Sequence, residues 1–460
     1  MKIPLLDVVP YRFSTLLFSL FFVTALSFTG CTDDLISTGQ DDALKSTTPV
    51  VDASGSKLRH AHLLDQAVLV AGKRSEGTTD ETSPTSTDGS TVSLIIGMDD
   101  TILQAERLLT RYRLLTRYRL LTRYEYDDVF YGLAAEIDQS RLDSFLLAVQ
   151  DDPDVAWVEP DIFVQTPAAS PYMWAIEQIM PWGIERVGAR ESSTKAGDGS
   201  GRVEKVELYI LDSGYFSYDV DFVEKKNYST SDTDLDLLGH GLPIASIAAA
   251  KDGKFGVVGV APGANVHSLK VLDDDGNTDI STVLTALEYV VKKAKSDGMP
   301  VVVNLSLGAD IGTTAYNALD EAVDAAVEAG VVVIVAAGNE GIDAATVTPA
   351  HAAGAITVGA YDVYNRFADF SNYGPAVDIL APGVDILTMG ITEWGYPMGA
   401  TISGTSMAAP HVAGAAALYL SKNPTATVAD VRVALLAEAR DTIWNVPAGT
   451  TNKTVWVGGF

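Results

Sequence analysis

From residue 171 onward, short apolar segments alternate with amphipathic helical patterns, and this alternation limits the folds open to the chain. The apolar segments are nearly continuous and rich in Val and Ile, which is typical of strands buried on both faces. Such strands, separated by helices, predict an α/β fold with a parallel sheet covered by helices on both faces. The predicted strands are 206–211, 266–271, 301–307, 331–337 and 356–358.

Polar side chains stand at the ends of several of these predicted elements, where functional residues of parallel sheets gather. Asp212 ends the first strand, His240 begins an apolar helix, Asn339 follows a buried strand and Ser406 opens a helix. A serine hydroxyl needs a base to become a good nucleophile. His240 is the base candidate, and Asp212 would hold its other ring nitrogen. The Ser406 N–H and the Asn339 amide would stabilise an oxyanion.

Taken singly, Asp212 is also explained as a turn former, Asn339 as a loop cap and Ser406 as a helix cap. The segment Gly404-Thr-Ser-Met-Ala-Ala-Pro-His411, however, resembles the serine motif of the subtilases, and the order Asp, His, Asn, Ser is also theirs. Segments 303–308, 370–374 and 445–450 are similar to the proteinase K branch. The resemblance implies a three-layer subtilisin-like domain over 169–460 that is a serine endopeptidase. It also implies polypeptide substrates and no catalytic cofactor.

The resemblance further implies a substrate cleft and a structural metal. By the family pattern, two segments line the cleft and pair with an extended peptide: Leu305, Ser306, Leu307, Gly308, Ala336, Ala337 and Gly338. Relatives near proteinase K hold calcium with an Asp and with backbone carbonyls of a turn. Asp378, Pro349 and His351 match those positions, and oxygen ligands suit Ca²⁺. A surface turn beside a strand-end carboxylate is the alternative.

A second compact pattern, over residues 92–168, precedes this domain. Its strands and helices are predicted at 92–97, from 101, at 130–137, at 140–149 and at 155–158. One more strand between residues 110 and 126 would complete the β-α-β-β-α-β order of a small α+β ferredoxin-like module. Segments 131–135 and 154–159 resemble the propeptide inhibitor of subtilases. This implies a zymogen that cleaves itself between about residues 164 and 172 and binds its own propeptide.

The module contains the hexapeptide Arg-Leu-Leu-Thr-Arg-Tyr three times in tandem, at 107–112, 113–118 and 119–124. A period of six keeps each residue on one face of a strand, but a helix would rotate each copy by about 240°. The copies hold six Arg and no acidic residue. They form either a binding element for an acidic surface, such as the catalytic domain itself, or a duplication that lengthens a helix–strand connection.

The N-terminus has the layout of a secretory signal peptide over residues 1–30. Its apolar run is short for a membrane span and ends before Cys31, the single cysteine. The sequence there resembles a bacterial lipoprotein cleavage site, which predicts a secreted or cell-envelope protein tethered to a membrane through lipid on Cys31. An ordinary signal peptide with a chance cysteine is the alternative. Residues 31–91 are rich in Ser, Thr, Asp and Gly, which predicts a flexible tether.

The net charge and the differences from the usual motifs bear on the alternative functions. The formal net charge is −28, which excludes nucleic acid as a partner because phosphate binding needs a positive face. After His240 the chain has Leu242-Pro243 where subtilases usually have Thr-His. This departure favours, as an alternative, a catalytically weak or inactive subtilase-fold binding protein at the cell surface. A nucleotide-binding α/β protein is disfavoured because no glycine-rich phosphate loop follows the first strand.

Overall fold

The computed structural model of the chain describes residues 57–64, 67, 91–99, 101–102, 107–165, 170–171, 177–391 and 397–460. The predicted signal peptide, Cys31 and most of the predicted tether lie outside the described residues. The helices are α1 (Arg107–Tyr118), α2 (Leu142–Val149), α3 (Trp182–Arg186), α4 (Gly241–Ala249), α5 (Ile280–Asp297), α6 (Ala318–Glu328), α7 (Thr405–Lys422) and α8 (Val428–Glu438).

Twenty strands accompany these helices in the described parts of the chain. They are β1 (Thr91–Met98), β2 (Leu121–Tyr126), β3 (Gly132–Asp138), β4 (Val155–Pro160), β5 (Phe163–Gln165), β6 (Ser170–Pro171), β7 (Glu207–Asp212), β8 (Phe222–Asn227), β9 (Asn265–Lys270), β10 (Asn277–Asp279), β11 (Val301–Leu305), β12 (Ala309–Asp310), β13 (Val331–Ala336), β14 (Val347–Thr348), β15 (Ile356–Tyr361), β16 (Ile379–Pro382), β17 (Ile386–Ile391), β18 (Pro397–Ile402), β19 (Arg440–Asp441) and β20 (Lys453–Thr454).

A nine-stranded sheet organises the larger α/β domain, in the order β19-β20-β16-β15-β13-β11-β7-β9-β8. Every neighbouring pair is parallel except β19 with β20. The predicted α/β class with a parallel sheet is therefore confirmed. The edge strand β8 was not among the predicted strands. Its residues are mostly polar and alternate between half-buried and exposed, so they form no apolar run.

Alternate side chains of the central strands enter two separate cores. Leu208 and Ile210 of β7 pack on one face with α4 and α7. Tyr209 and Leu211 of the same strand pack on the other face with α5 and α6. This period of two places one layer of helices on each side of the sheet, which gives the expected three layers.

The N-terminal module, residues 91–160, has the β-α-β-β-α-β order that the sequence predicts. Its antiparallel sheet has the strand order β2-β3-β1-β4. Ile95 and Trp157 on one face of this sheet belong to the same core as the α5 side of the α/β domain. Leu94 and Ile96, which point to the other face, pack with residues of α1 and α2.

The three hexapeptide copies do not share one conformation. The first two form α1, and most of the third forms the strand β2. Helical rotation separates equivalent residues, so Leu108 is 73% exposed while its counterpart Leu114 is buried. Five of the six arginines form ion pairs, and each partner lies inside the module: Arg107 and Arg111 with Asp127, Arg113 with Asp154, Arg117 with Asp152 and Arg123 with Glu136. The hypothesis that these arginines bind the catalytic domain is therefore wrong for those five.

Residues 57–64 form an N-terminal strap across the edge of the module. Arg59 N–H donates to the Val158 carbonyl and Val158 N–H donates to the Lys57 carbonyl, both at 2.8 Å, so the strap runs beside β4. Leu63 and Ala67 are buried. The prediction of a flexible tether over 31–91 is therefore wrong for residues 57–64 and 67, because apolar side chains of this short segment are covered by the module.

Across the parts of the chain that the structure describes, no helix is both long enough and apolar enough to span a membrane.

Candidate active site

Three of the predicted residues come from different elements, and two of them, Asp212 and His240, are in direct contact. Asp212 is the last residue of β7, His240 immediately precedes α4, and Ser406 lies in the first turn of α7. All three are at most 2% exposed. His240 Nδ1 lies 2.8 Å from Asp212 Oδ1, and α4 packs directly against α7. The structure thus joins the predicted acid and base by a hydrogen bond.

The charge of this pair determines the basicity of the imidazole. Burial by itself would lower the pKa of His240, because it disfavours the charged ring. The negative charge of Asp212, the hydrogen bond to it, and the charge of Asp236 outweigh burial and raise the pKa of His240 above its ordinary value. An imidazole of this kind accepts a proton more readily than a free histidine.

The nucleophile candidate is not yet aligned with the base. Among the described residues His240 Nε2 has no hydrogen-bond partner, and Ser406 Oγ donates to the Ser306 carbonyl over a long 3.3 Å. In the absence of a substrate, catalytic hydrogen bonds are often long or poorly aligned. The Ser406 hydroxyl is therefore buried and weakly held, and His240 Nε2 is buried without a hydrogen-bond partner among the described residues.

A second buried carboxylate, Asp236, organises the loop that carries His240. It accepts hydrogen bonds from Ser213 Oγ at 2.7 Å, Gly239 N at 2.8 Å, His240 N at 3.3 Å and Leu242 N at 2.7 Å. Burial is the largest cause that raises the pKa of Asp236. The sequence analysis missed this residue, and its signal was an acidic residue just before an apolar helix.

A buried lysine, Lys270, binds both the loop that follows Asp212 and the loop that precedes His240. Lys270 Nζ donates to the Ser213 carbonyl at 2.5 Å and to the Leu235 carbonyl at 3.2 Å. It also forms an ion pair with Asp274 at 2.8 Å. Lys270 therefore fixes the loop after Asp212 to the loop before His240. The sequence showed it only as the last residue of an apolar strand.

The altered sequence after His240 leaves the acid–base pair intact. Pro243 is the third residue of α4, where proline is tolerated because its missing N–H has no intrahelical acceptor. Its carbonyl accepts a hydrogen bond from Thr388 Oγ1 at 2.9 Å, and the N–H of Leu242 is held by Asp236. The contact between His240 and Asp212 is therefore present together with Leu242 and Pro243.

Asn339 follows β13 in a loop beside the start of α7. Its Oδ1 accepts hydrogen bonds from Thr405 N at 2.8 Å and Thr405 Oγ1 at 3.1 Å. Because these bonds engage the oxygen, the amide orientation is fixed and the Nδ2 group remains as a donor. Ser406 N–H lies at the N-terminus of α7, where unpaired backbone N–H groups favour negative charge. Both are suited to stabilise an oxyanion.

Both predicted cleft segments contact the first residues of α7, through Ser306 and Gly338. Leu305 ends β11 and Ser306 contacts the Ser406 backbone through its hydroxyl. Ala337 N–H donates to Val358 and its carbonyl accepts from Asn372. Gly338 is bonded likewise: its N–H donates to Thr405 Oγ1 and its carbonyl accepts from Asn372 N. Ala337 and Gly338 can therefore line a cleft, but their backbone groups already have partners within the domain. Leu307 and Ala336 are buried, and Gly308 is half-buried.

The other histidines of the described region have structural roles. His411 Nδ1 hydrogen-bonds the Met407 carbonyl at 2.8 Å, and burial lowers the pKa of His411 to about 4, so it stays neutral. His267 lies between the carboxylates of Glu207 and Glu224, at 2.6 and 2.8 Å. Neither contacts the Asp212–His240 pair.

The residues predicted to hold calcium do not form a suitable site. Asp378 Oδ1 is paired with Arg432 Nη1 at 2.5 Å, and Oδ2 accepts the Thr357 N–H at 2.9 Å. The Pro349 carbonyl accepts the Ala352 N–H, and the His351 carbonyl accepts the Tyr316 hydroxyl. The His351 ring is bonded to Asp320 and to the Ala345 carbonyl. In the described parts of the chain, no group of three or more His, Cys, Asp or Glu side chains is arranged to hold a metal ion.

Comparison with known proteins agrees with this geometry. Residues 94–456 match the model of the Subtilase family, Peptidase S8. Subtilisin-like serine protease Pen ch 18 of Penicillium rubens is 37% identical over 340 residues, which cover 68% of this chain and 65% of that protein. The chain thus spans slightly less than two thirds of that relative's length. Extracellular serine proteinase of Thermus sp. (strain Rt41A) is 36% identical over 321 residues, covering 68% and 71% of the two chains.

A solved structure, the crystal structure of a cold adapted subtilisin-like serine proteinase, shares the fold with a TM-score of 0.51 and 32% identity. The match covers 60% of this chain and 97% of that one. The family match includes both the N-terminal module and the α/β domain with Asp212, His240 and Ser406. The chain belongs to the subtilase family.

Proposed function

We propose that the protein is a serine endopeptidase that hydrolyses peptide bonds with Ser406, His240 and Asp212. The observation that carries this proposal is the buried 2.8 Å contact between His240 Nδ1 and Asp212, together with Ser406 at the N-terminus of α7. Ser406 Oγ leaves the Ser306 carbonyl, transfers its proton to His240 Nε2 and attacks the scissile carbonyl carbon. Asp212 stabilises the imidazolium that forms.

Negative charge then develops on the substrate oxygen. Ser406 N–H and Asn339 Nδ2 donate hydrogen bonds to that oxyanion, and Thr405 keeps the Asn339 amide in its orientation. His240 gives its proton to the leaving amine, and water repeats the sequence on the acyl-enzyme. No metal takes part in these steps. Leu305 to Gly308 and Ala336 to Gly338 line the cleft for an extended polypeptide in this proposal.

We propose in addition that the N-terminal module is an inhibitory propeptide. Two carboxyl groups, one in the last strand of the module and one directly after that strand, bind the N-termini of helices in the α/β domain. Glu159 Oε1 accepts the Ala318 N–H of α6 at 2.7 Å, and Asp161 Oδ1 accepts the Ser281 N–H of α5 at 3.0 Å. Helix N-termini favour oxygen acceptors at these positions because their first N–H groups have no intrahelical partner.

The chain that leaves the module continues along the α/β domain. β5 pairs antiparallel with β10, and β6 pairs antiparallel with β18. Between them lie residues 166–169, which are outside the described residues, so the expected processing region of about 164–172 is only partly described. An extended connection of this kind supports a single self-cleavage that separates the module from the enzyme.

The strap adds a further contact between the module and the enzyme. Arg59 Nη1 lies 2.6 Å from Glu321 Oε1 of α6, and its guanidinium stacks 4.3 Å above the Trp157 ring. His60 Nε2 lies 3.0 Å from the Tyr316 carbonyl. Arg59 is buried, and its charge is stabilised by Glu321 of the α/β domain and by the Trp157 ring of the module. We infer that the inhibitory unit begins at the strap rather than at β1.

The proposal is tested by intact mass and N-terminal sequencing of the expressed wild type beside Ser406→Ala. Processing between about residues 164 and 172 in the wild type, with an unprocessed Ser406→Ala chain, is expected. Identical processing of the two chains would show that another protease cuts them. A catalytically inactive binding protein, the alternative suggested by Leu242-Pro243, would leave both chains unprocessed and without peptide hydrolysis.

We also propose that the enzyme is exported and attached to the cell envelope by lipid on Cys31, as the sequence around that residue suggests. The Thermus relative is named an extracellular proteinase, which supports export. Labelling cells with radioactive palmitate tests the lipid directly. Label is expected in the wild type and not in Cys31→Ser, and equal labelling of both would contradict the proposal.

A further inference from the structure

We propose that the guanidinium group of Arg432 replaces calcium in the α/β domain, as a built-in cation beside Asp378, one of the expected calcium ligands. The inference starts from the mismatch between the expected calcium ligands and their contacts. It does not depend on peptidase activity.

Arg432 lies on α8 and collects oxygen atoms from two other elements. Nη1 is 2.5 Å from Asp378 Oδ1, just before β16. Nη2 donates to the carbonyls of three consecutive residues in the turn before β15: Ala353 at 3.3 Å, Gly354 at 3.1 Å and Ala355. One carboxylate and three carbonyl oxygens thus surround a single cation, which is the type of donor set that a calcium ion takes.

The guanidinium is a suitable substitute for the ion at this position. Its planar fork donates several hydrogen bonds in fixed directions, it stays charged at every relevant pH, and it loses its hydration more easily than an ammonium group. The side chains of Arg432 and Asp378 are only 27% and 24% exposed, so water screens the pair weakly. The contact joins α8 to the starts of two adjacent strands of the central sheet.

The same geometry opposes a metal ion. A divalent ion beside Asp378 would lie next to the positive charge of Arg432, which would repel it. Asp378 Oδ2 is already used by the Thr357 N–H, and the carbonyls of Pro349 and His351 have partners elsewhere. The chain's own cation therefore excludes calcium from this corner.

Thermal unfolding of the full-length chain tests the proposal, in a Ser406→Ala background that prevents self-digestion. Midpoints are measured in millimolar calcium chloride and in EDTA for the parent, Arg432→Ala and the matched control Arg366→Ala. The Arg366 side chain is half-exposed and pairs with the buried carboxylate of Asp362, and its guanidinium has no carbonyl partners among the described contacts. Asp378→Asn is included to assign any effect of calcium to this corner.

The parent is expected to unfold at the same temperature in both solutions. Arg432→Ala is expected to lose roughly 2–6 °C in EDTA and to regain part of it in calcium, because the carboxylate and carbonyls then accept an ion. Arg366→Ala should lower the midpoint by the same amount in calcium and in EDTA, because no carbonyl cluster is left to accept an ion there. If Arg432→Ala does not fold, Arg432→Gln replaces it. A calcium-dependent parent midpoint that Asp378→Asn abolishes would overturn the proposal, as would an Arg432 variant that calcium does not stabilise.

Discussion

Glu159 makes the attachment of the proposed propeptide depend on pH. Its side chain is 1% exposed at the N-terminus of α6. Burial, the largest cause, raises the pKa of Glu159 from its ordinary value of 4.5 to about 8. The charge of Arg59 and the hydrogen bond from Ala318 lower it, but by less than burial raises it. The perturbation to test is Glu159→Gln, which keeps the carbonyl that accepts the Ala318 N–H and removes the titration.

The direction of the effect follows from the two protonation states. Below about pH 4.5 the carboxyl is protonated whether the module is docked or free, and above about pH 8 it is ionised in both. Between these values the docked module holds a proton that the free module has lost, so docking weakens as the pH rises. The limit is tenfold per pH unit, which corresponds to roughly three thousandfold over the whole range from pH 4.5 to about 8.

The assay follows the onset of peptide hydrolysis after self-processing, at several values between about pH 5.5 and 8.5. Each rate is divided by the rate of fully released enzyme at the same pH, which removes the titration of His240. Wild type should release its module faster as the pH rises, and Glu159→Gln should show no such trend. The matched control Glu125→Gln changes a half-exposed carboxylate that pairs with Arg111 inside the module, and it should keep the wild-type trend.

Release that is independent of pH in the wild type, or equally dependent in wild type and Glu159→Gln, would refute this reasoning. In the first case Glu159 is ionised while docked, and in the second case another group provides the dependence.

Three further substitutions test other parts of the account. Asn339→Ala should lower kcat by a factor of about 10²–10³, which is the range known for the loss of one oxyanion-hole donor in subtilisin, and should change KM little. An unchanged kcat would contradict the proposed role of Asn339. Asp236→Asn should lower kcat at least about tenfold, because an amide cannot accept all four hydrogen bonds. It should also move the acid limb of the pH–rate profile to lower pH, because the charge of Asp236 raises the pKa of His240. An unmoved acid limb would mean that this charge does not act on His240. Arg59→Ala should weaken module docking about tenfold or more, measured as faster onset of activity, while Arg113→Ala, whose partner lies inside the module, should not.

Local patterns in the sequence were sufficient for the sheet and for the selection of Asp212, His240 and Ser406 as candidates. The central strands are runs of Val and Ile whose burial does not depend on distant partners, and Asp212, His240 and Ser406 stand at strand or helix ends. The order of strands and helices in the module was also predictable, because each element shows the hydrophobic periodicity of its own type. The edge strand β8 was not, since its polar residues show no apolar run.

Residues that act through distant partners were not predictable from one sequence. Lys270 has the sequence context of an ordinary strand end, and Arg432 that of an exposed helical residue. Their roles arise because the fold brings carbonyls and carboxylates from other segments to them. The expected calcium ligands had suitable chemistry, but the sequence did not show that a helix about fifty residues later supplies a cation to Asp378. Arg59 was assigned to a tether because composition does not show its contact with Glu321.

The central claim is that Ser406 is a nucleophile activated by His240. Labelling of purified protein with a fluorophosphonate, followed by mass spectrometry of its peptides, tests this most directly. The account predicts one label per processed molecule, attached to Ser406, that is lost in Ser406→Ala and strongly slowed in His240→Ala. A processed, folded protein that takes up no label at Ser406, or that labels equally fast without His240, would contradict it.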